Sequence, residues 1–347
     1  MVFTSAIIEN FRGIRHCKLE GLGQVNIFFG KNNCGKSSLL EALFLLSGQS
    51  NPTLPLNINA FRGVSINEAE DLLALFYHAD KDNSIRVEAE GERGRAVKID
   101  FVEKHEEQLS PGEPNRNNSS VSNMKYGLNF EYNLKEQNQT TYHSALTMTE
   151  EGKNGKADID KYYKETFVAE YVSPASKNND RKYLENVIKN KKEGEIIELL
   201  KVLEPRIREI QIVGQKIMVD VGLPTRLPVN MLGDGVRRLL SIILTIYIRR
   251  NGVVLIDEVE NGLHYSAMNT LWKALLNTSM MTNTQLFITT HSLDTLKTLA
   301  DTLQDMDGKE AHVAAYKLIR KEDDELVPLR YESSQLAYAI KHDVEVR

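Results

Sequence analysis

The chain of 347 residues carries 43 Lys plus Arg against 48 Asp plus Glu, a net charge of −5, with 41% hydrophobic and 26% charged residues. That is an ordinary globular composition, long enough for one large domain or two ordinary ones, and it excludes a uniformly basic nucleic-acid coat. No apolar run reaches the roughly 20 residues of a membrane helix. The two cysteines, Cys17 and Cys34, supply no disulfide framework. The N-terminus lacks the basic-then-apolar plan of a signal peptide, so a cytoplasmic chain with no membrane partner is expected.

The first elements read as strand, turn, strand, then a third strand over residues 24–29 that enters a glycine-bearing loop. Residues 37–47 (SSLLEALFLLS) have helical spacing, closed by Gly48 and Pro52. Between residues 51 and 165 the pattern changes to short alternating segments at 84–90, 96–102, 126–132 and 140–148. These predict an antiparallel β insert. Residues 108–123, rich in Asn, Ser and Pro, predict a mobile loop within it.

From residue 166 to 347 strands and helices alternate, which predicts a largely parallel core sheet. Strands are expected at 167–172, 253–257 and 285–289, and helices at 179–191, 193–203, 234–249, 266–280 and 292–303. A hairpin at 207–220 turns at Val213-Gly214-Gln215, and a last strand pair covers 311–320 and 325–330. No sustained heptad pattern is present, which argues against a long coiled coil.

Residues 30–37 read Gly30-Lys31-Asn32-Asn33-Cys34-Gly35-Lys36-Ser37, which fits G-x-x-x-x-G-K-[ST] with a strand before it and a helix after it. Such a loop offers successive backbone N–H groups to a polyphosphate at a helix N-terminus. Lys36 is placed for the β and γ phosphates, the Ser37 hydroxyl for Mg²⁺, and Ser38 follows. Cys34 is either a thiol sensitised by the helix N-terminus or a small loop residue without redox role.

Residues 253–258 form an apolar strand ending in Asp257 and Glu258. Adjacent carboxylates at a buried strand end carry a desolvation cost that packing does not explain. Asp257 can hold Mg²⁺ through water, and Glu258 can polarise an attacking water. The strand expected at 285–289 leads into a polar turn at His291, which can donate to a γ-phosphate or be structural.

Taken together, IIENFRGI at 7–14, GKNNCGKSS at 30–38, LGDGVRRLL at 232–240, VVLIDEVENGLH at 253–264 and ITTHS at 288–292 resemble ABC-type ATPases of the SMC group. The resemblance is closer to the overcoming-lysogenization-defect ATPases of bacterial anti-phage systems such as Gabija, Septu and PARIS. It covers roughly the first 50 and last 180 residues and does not reach the β insert. It implies an α/β P-loop NTPase of ABC-ATPase type, with a mixed core sheet, a β-rich insert and a helical signature subdomain. It also implies ATP and Mg²⁺ as ligands, and a head-to-tail dimer or higher homo-oligomer in which a second copy supplies the signature helix.

Gly233-Asp234-Gly235 occupies the signature place, although the transporter form Leu-Ser-Gly-Gly-Gln is altered. Arg12 matches the family's N-terminal arginine turn, and reads equally as a surface arginine. Tyr171 to Pro174 stands where the family carries a glutamine loop, without the glutamine. Glu260 and His264 fall in the dimer-facing loop. No TOPRIM domain fits after His291, so nuclease or toxin activity is expected on a separate effector, possibly a TOPRIM or HNH nuclease. Nucleic acid is a further candidate partner, through the basic stretch Lys177, Arg181, Lys182, Lys189, Lys191 and Lys192, which also reads as a solvated helix face. An SMC-like DNA-clamping ATPase and a transporter motor are the alternatives.

Overall fold

The computed structural model describes residues 2–105, 124–135, 140–149, 155–173, 179–305 and 312–341. The loop expected at 108–123, and Pro174 and Lys177 among the residues singled out above, lie outside them.

The chain opens with β1 (Ser5–Phe11), β2 (Ile14–Glu20) and β3 (Val25–Phe29), followed by α1 (Lys36–Ser47). Two short helices come next, α2 (Leu54–Phe61) and α3 (Ala69–Leu73). Strands β4 (Ile85–Glu90), β5 (Arg95–His105), β6 (Met124–Leu134), β7 (Thr141–Thr149) and β8 (Gly155–Asp158) then run antiparallel to one another. β9 (Ala169–Val172) precedes α4 (Asp180–Lys189) and α5 (Glu193–Leu200). A small three-stranded sheet follows, made of β10 (Glu209–Val213), β11 (Lys216–Asp220) and β12 (Leu227–Pro228). The C-terminal part alternates α6 (Asp234–Ile248), β13 (Val253–Ile256), α7 (Met268–Thr282), β14 (Gln285–Thr290) and α8 (Leu293–Gln304). It closes with β15 (Val313–Arg320), β16 (Glu325–Tyr331) and α9 (Ser333–Lys341).

Among the described residues one thirteen-stranded sheet runs in the order β8-β7-β6-β5-β4-β1-β2-β16-β15-β3-β14-β13-β9. The strands of residues 51–165 therefore prolong the core sheet, because β4 pairs with β1 over Ser5 to Glu9. Alternation predicted β4 to β7, but not β8, nor α2 and α3, which sit between α1 and β4 beside the site.

β15, β3, β14, β13 and β9 are parallel neighbours. Their apolar runs are continuous because both faces are covered. On β13, Val253 and Leu255 pack toward the side holding α1, while Val254 and Ile256 pack toward α6, α7 and α8. β14 divides in the same way, Phe287 to one core and Leu286 and Ile288 to the other. The sheet thus carries a hydrophobic core on each face. In the described residues no helix is long and apolar enough to cross a membrane.

The basic stretch lies on and just after α4. Lys182, Lys189 and Lys191 are exposed, Arg181 pairs with Glu185 at 2.9 Å, and Lys192 pairs with Glu195 at 2.6 Å. This is a solvated face, ion-paired at Arg181 and Lys192.

Candidate active site

Parallel pairing brings three strand ends to one edge. β3 runs beside β14, and β14 beside β13, so the loop after β3, Asp257 after β13 and His291 after β14 emerge together. A crevice outside the carboxyl ends of parallel strands is the general ligand site of open α/β sheets. Here it is a cleft of about 1030 Å³.

The loop at 30–37 needs its glycines. Gly30 has φ +148, and a Cβ there would stand 2.7 Å from the Leu318 carbonyl oxygen. Gly35, at φ +110, caps α1 with no side-chain hydrogen bond, and no acid occupies the first turn. The first N–H groups of α1 are therefore left by side chains for an anion. The Lys36 ammonium donates to the carbonyls of Gly30 (3.0 Å) and Lys31 (2.9 Å), folded over the loop. Cys34 is buried beneath it, and burial raises its thiol pKa against the lowering influence of Lys36. That is the opposite of a sensitised thiol.

Asp257 is buried, and its carboxylate accepts from three hydroxyls. Ser37 donates to Oδ1 at 3.1 Å, Thr289 to the same oxygen at 2.5 Å, and Tyr171 to Oδ2 at 3.0 Å. The Thr289 hydroxyl also accepts from the Glu258 backbone N–H at 2.9 Å, so one side chain fixes both acids. Glu258 itself has φ +49, a left-handed conformation costly for a residue with a Cβ, of the kind retained at functional sites. Burial first, and Asp257 second, hold the Tyr171 phenol well above its usual pKa. Its ring stacks on Phe61 of α2 at 4.9 Å.

His291 is half exposed. Its Nδ1 lies 2.9 Å from Glu260 Oε1, and its backbone N–H donates to the same oxygen at 2.9 Å. Glu260 thus orients the imidazole on its own chain. His264 bonds instead to Ser266, Nδ1 to Oγ, at 2.9 Å.

Arg12, at φ +50 in the turn between β1 and β2, is no free surface arginine. Its Nε lies 2.7 Å from Glu41 of α1, and it donates to Asn59 Oδ1 at 3.0 Å. Arg62, just past α2, donates to both oxygens of Glu41 (2.7 and 3.1 Å) and to Ser38 at 3.1 Å. Burial, then the neighbouring Arg62 charge against the attraction of Glu41, lowers the Arg12 pKa.

The cleft gathers Arg12, Asn32, Asn33, Gly35, Lys36, Ser37, Ser38, Asp257, Glu258 and His291. Gly30, Lys31 and Cys34 complete the loop beneath it. Gly233, Asp234 and Gly235 do not line it. They form the exposed start of α6, where Gly233 has φ +98 and the Asp234 side chain is 81% exposed, 3.7 Å from Arg237. Sequence reading missed Glu41, Arg62 and Arg320 among the lining residues. It had seen Tyr171 and Thr289 only as parts of motifs. The register Ile256↔Ile288, which sets Asp257 opposite Thr289, is a long-range pairing that no local pattern announces.

Two aspartates after β7 serve the local loops. Asp160 accepts from the backbone N–H groups of His143 (3.1 Å) and Tyr162 (2.8 Å), and Asp158 pairs with Lys156. Among the described residues no group of three or more His, Cys, Asp or Glu is placed to hold a metal. The Ser37 hydroxyl and the Asp257 carboxylate are oxygen donors of the kind Mg²⁺ takes, when one carboxylate and substrate phosphates share it.

Fold and loop together define a P-loop NTPase of the ABC type, an ATPase that works with ATP and Mg²⁺. Residues 25–296 match the family described as "AAA domain, putative AbiEii toxin, Type IV TA system", and the chain belongs to that family. An "ATP/GTP phosphatase" of Helicobacter pylori is 24% identical over 98% of each chain. The DNA replication and repair protein RecF of Acinetobacter baumannii is 34% identical over 104 residues, 29% of this chain and 27% of that protein. Among solved structures, an Smc head bound to the C-winged helix domain of ScpA shares the fold. Its TM-score is 0.51 at 10% identity, covering 98% of this chain and 100% of that one.

Proposed function

We propose that this ATPase is a nucleotide-gated subunit of an anti-phage defence complex, whose closed dimer controls a separate effector. In this reading the loop at 30–37 and Lys36 hold the phosphates, with Arg12 alongside. Ser37 and Asp257 hold Mg²⁺, which when bound offsets phosphate charge. Glu258 polarises the attacking water, and His291, set by Glu260, donates to the γ-phosphate. The signature residues Gly233, Asp234 and Gly235 of a second copy complete the site.

The observation that carries the dimer is the separation of the signature from its own cleft. The phosphate-loop residues, Arg12, Asp257, Glu258 and His291 meet in one cleft, while the start of α6 stands exposed outside it with its N-terminal N–H groups uncapped by any side chain. Such a helix start is suited to a phosphate presented by another copy. Arg237 beside Asp234 offsets the repulsion that the carboxylate would otherwise exert. The phosphatase name of the full-length H. pylori relative supports hydrolysis, and the toxin wording of the family supports the defence setting.

The second reading, a DNA-clamping repair ATPase, draws support from the RecF segment. The two separate on duplex DNA, since a clamp would bind it with steep salt dependence. The dimer is tested by sedimentation of Glu258→Gln with ATP and Mg²⁺. The expected result is a doubled mass with ATP and a single-chain mass with ADP. A single-chain mass at saturating ATP overturns the proposal.

A further inference from the structure

The cleft has a second end, lined mostly by residues distant in sequence from every motif. There Gly13, Phe76, His78, Ala79 and Arg320 line the wall beyond Arg12. The segment 76–79 is held against β1: Phe76 bridges Phe11, and the Arg12 N–H donates to the Leu75 carbonyl at 2.8 Å. Two consecutive residues with side chains, His78 (φ +57) and Ala79 (φ +53), adopt the left-handed conformation. Each such residue is disfavoured, and the pair persists only where its surroundings over-determine it.

Those surroundings centre on Asp324, in the turn between β15 and β16. Tyr77 donates its hydroxyl to Asp324 at 3.0 Å, and His78 Nε2 lies 3.3 Å from the same oxygen. Arg320 grips the other oxygen, at 2.8 Å from Nε and 2.7 Å from its terminal nitrogen. The result is a ring stack, Tyr77 on His78, with centroids 4.0 Å apart and planes 22° from parallel. One face of the imidazole is covered by Tyr77, and the His78 side chain is still 68% exposed. The β1–β2 turn passes close beside it, since a Cβ on Gly13 would stand 3.0 Å from an Arg320 guanidinium nitrogen.

We infer that His78, backed by Tyr77 and braced through Asp324 and Arg320, is the nucleobase platform of the cleft, and that it accepts the purine of GTP as well as that of ATP. A single cavity of about 1030 Å³ joins this ring to Lys36 and Ser37, as an elongated nucleoside triphosphate requires. Stacking is tolerant of base identity because every base has a π face. The polar side-chain groups here are directed to Asp324 rather than outward: the Tyr77 hydroxyl, His78 Nε2 and the Arg320 fork. They therefore do not discriminate the 6-amino group of adenine from the 6-oxo group of guanine.

This inference rests on the phosphates being held at Lys36. The test measures calorimetric affinities of ATP, GTP and tripolyphosphate with Mg²⁺, for the Glu258→Gln protein alone and with His78→Asn or Lys36→Ala added. Asparagine keeps the left-handed preference and a group able to meet Asp324, while removing the ring. The platform predicts ATP and GTP affinities within about fivefold of each other. It also predicts that His78→Asn weakens both by about 5- to 100-fold and leaves tripolyphosphate unchanged. Nucleotide affinities unmoved by His78→Asn, or a strong preference for one purine, overturn it. Retained ATP and tripolyphosphate binding in Lys36→Ala would instead overturn the phosphate assignment.

Discussion

Two buried carboxylates flank the phosphate loop, and they are held in opposite ways. Glu41, on the inner face of α1, is clamped by two guanidiniums, Arg12 at 2.7 Å and Arg62 at 2.7 Å. Asp257 receives only neutral hydroxyls, from Ser37, Thr289 and Tyr171. Hydrogen bonds solvate the charge of Asp257 without cancelling it, so in the proposed reading that charge remains to draw a cation to the Ser37 hydroxyl. The charge of Glu41 is spent within the protein, joining α1 to the β1–β2 turn and to the end of α2. In the proposed reading one carboxylate takes part in the chemistry, and the other belongs to the frame.

The largest expected effect lies beside Asp257. Glu258→Gln should lower ATP turnover by about 10²–10⁴ while ATP binding persists, as single-turnover hydrolysis and equilibrium binding would show. Turnover within a few-fold of wild type would move the water-activating role elsewhere. On the framing side, Glu41→Gln leaves two guanidiniums facing a neutral amide. Loss of one partner from a buried ion pair costs about 3–5 kcal/mol, readable as a lowered midpoint in urea. A midpoint within error of wild type would make Glu41 dispensable to the frame.

A smaller effect is expected at the Tyr171 hydroxyl. Tyr171→Phe removes a donor to a charged acceptor and should cost about 1.5–3 kcal/mol. The Tyr171 pKa is raised in the fold, so its contribution is fully present below the unfolded value near pH 10 and is lost as pH rises through the folded value. Stability above about pH 10 should therefore fall less steeply in Tyr171→Phe than in wild type. Identical alkaline limbs would contradict the bond to Asp257. The smallest effect concerns the thiols. Cys17 is fully buried, and burial, then Glu325, pushes it up to about 12. Cys17 should label more slowly than Cys34 at pH 8, and the reverse order would contradict this packing.

The place of Asp257 at a strand end was legible in the sequence, while the frame around Glu41 was not. Strand ends carrying Gly30, Asp257 and His291 are local patterns, and alternation with helices implies that those strands run parallel. Local patterns do not report long-range pairing. Nothing in residues 84–90 announces that β4 extends the core sheet through β1. The helix 54–61 (LPLNINAF) is short and carries Pro and two Asn, so α2 escaped a reading that saw only β alternation in 51–165. With α2 went Asn59, Phe61 and Arg62, which touch Arg12, Tyr171 and Glu41. Tyr171 was noticed for lacking a glutamine, whereas its hydroxyl on Asp257 depends on β9 lying beside β13. His78 left no trace, because paired left-handed residues held by a turn some 240 positions away have no sequence pattern.

The contrast between the two carboxylates is tested most directly by one paired measurement: Mg²⁺-dependent ATP hydrolysis and urea midpoint, taken together for Asp257→Asn and Glu41→Gln. The account predicts that Asp257→Asn abolishes Mg²⁺-dependent turnover with the midpoint unchanged or raised, since a buried uncompensated charge is removed. It predicts that Glu41→Gln lowers the midpoint. Mg²⁺-dependent hydrolysis surviving in Asp257→Asn, with its midpoint falling as far as that of Glu41→Gln, would contradict it.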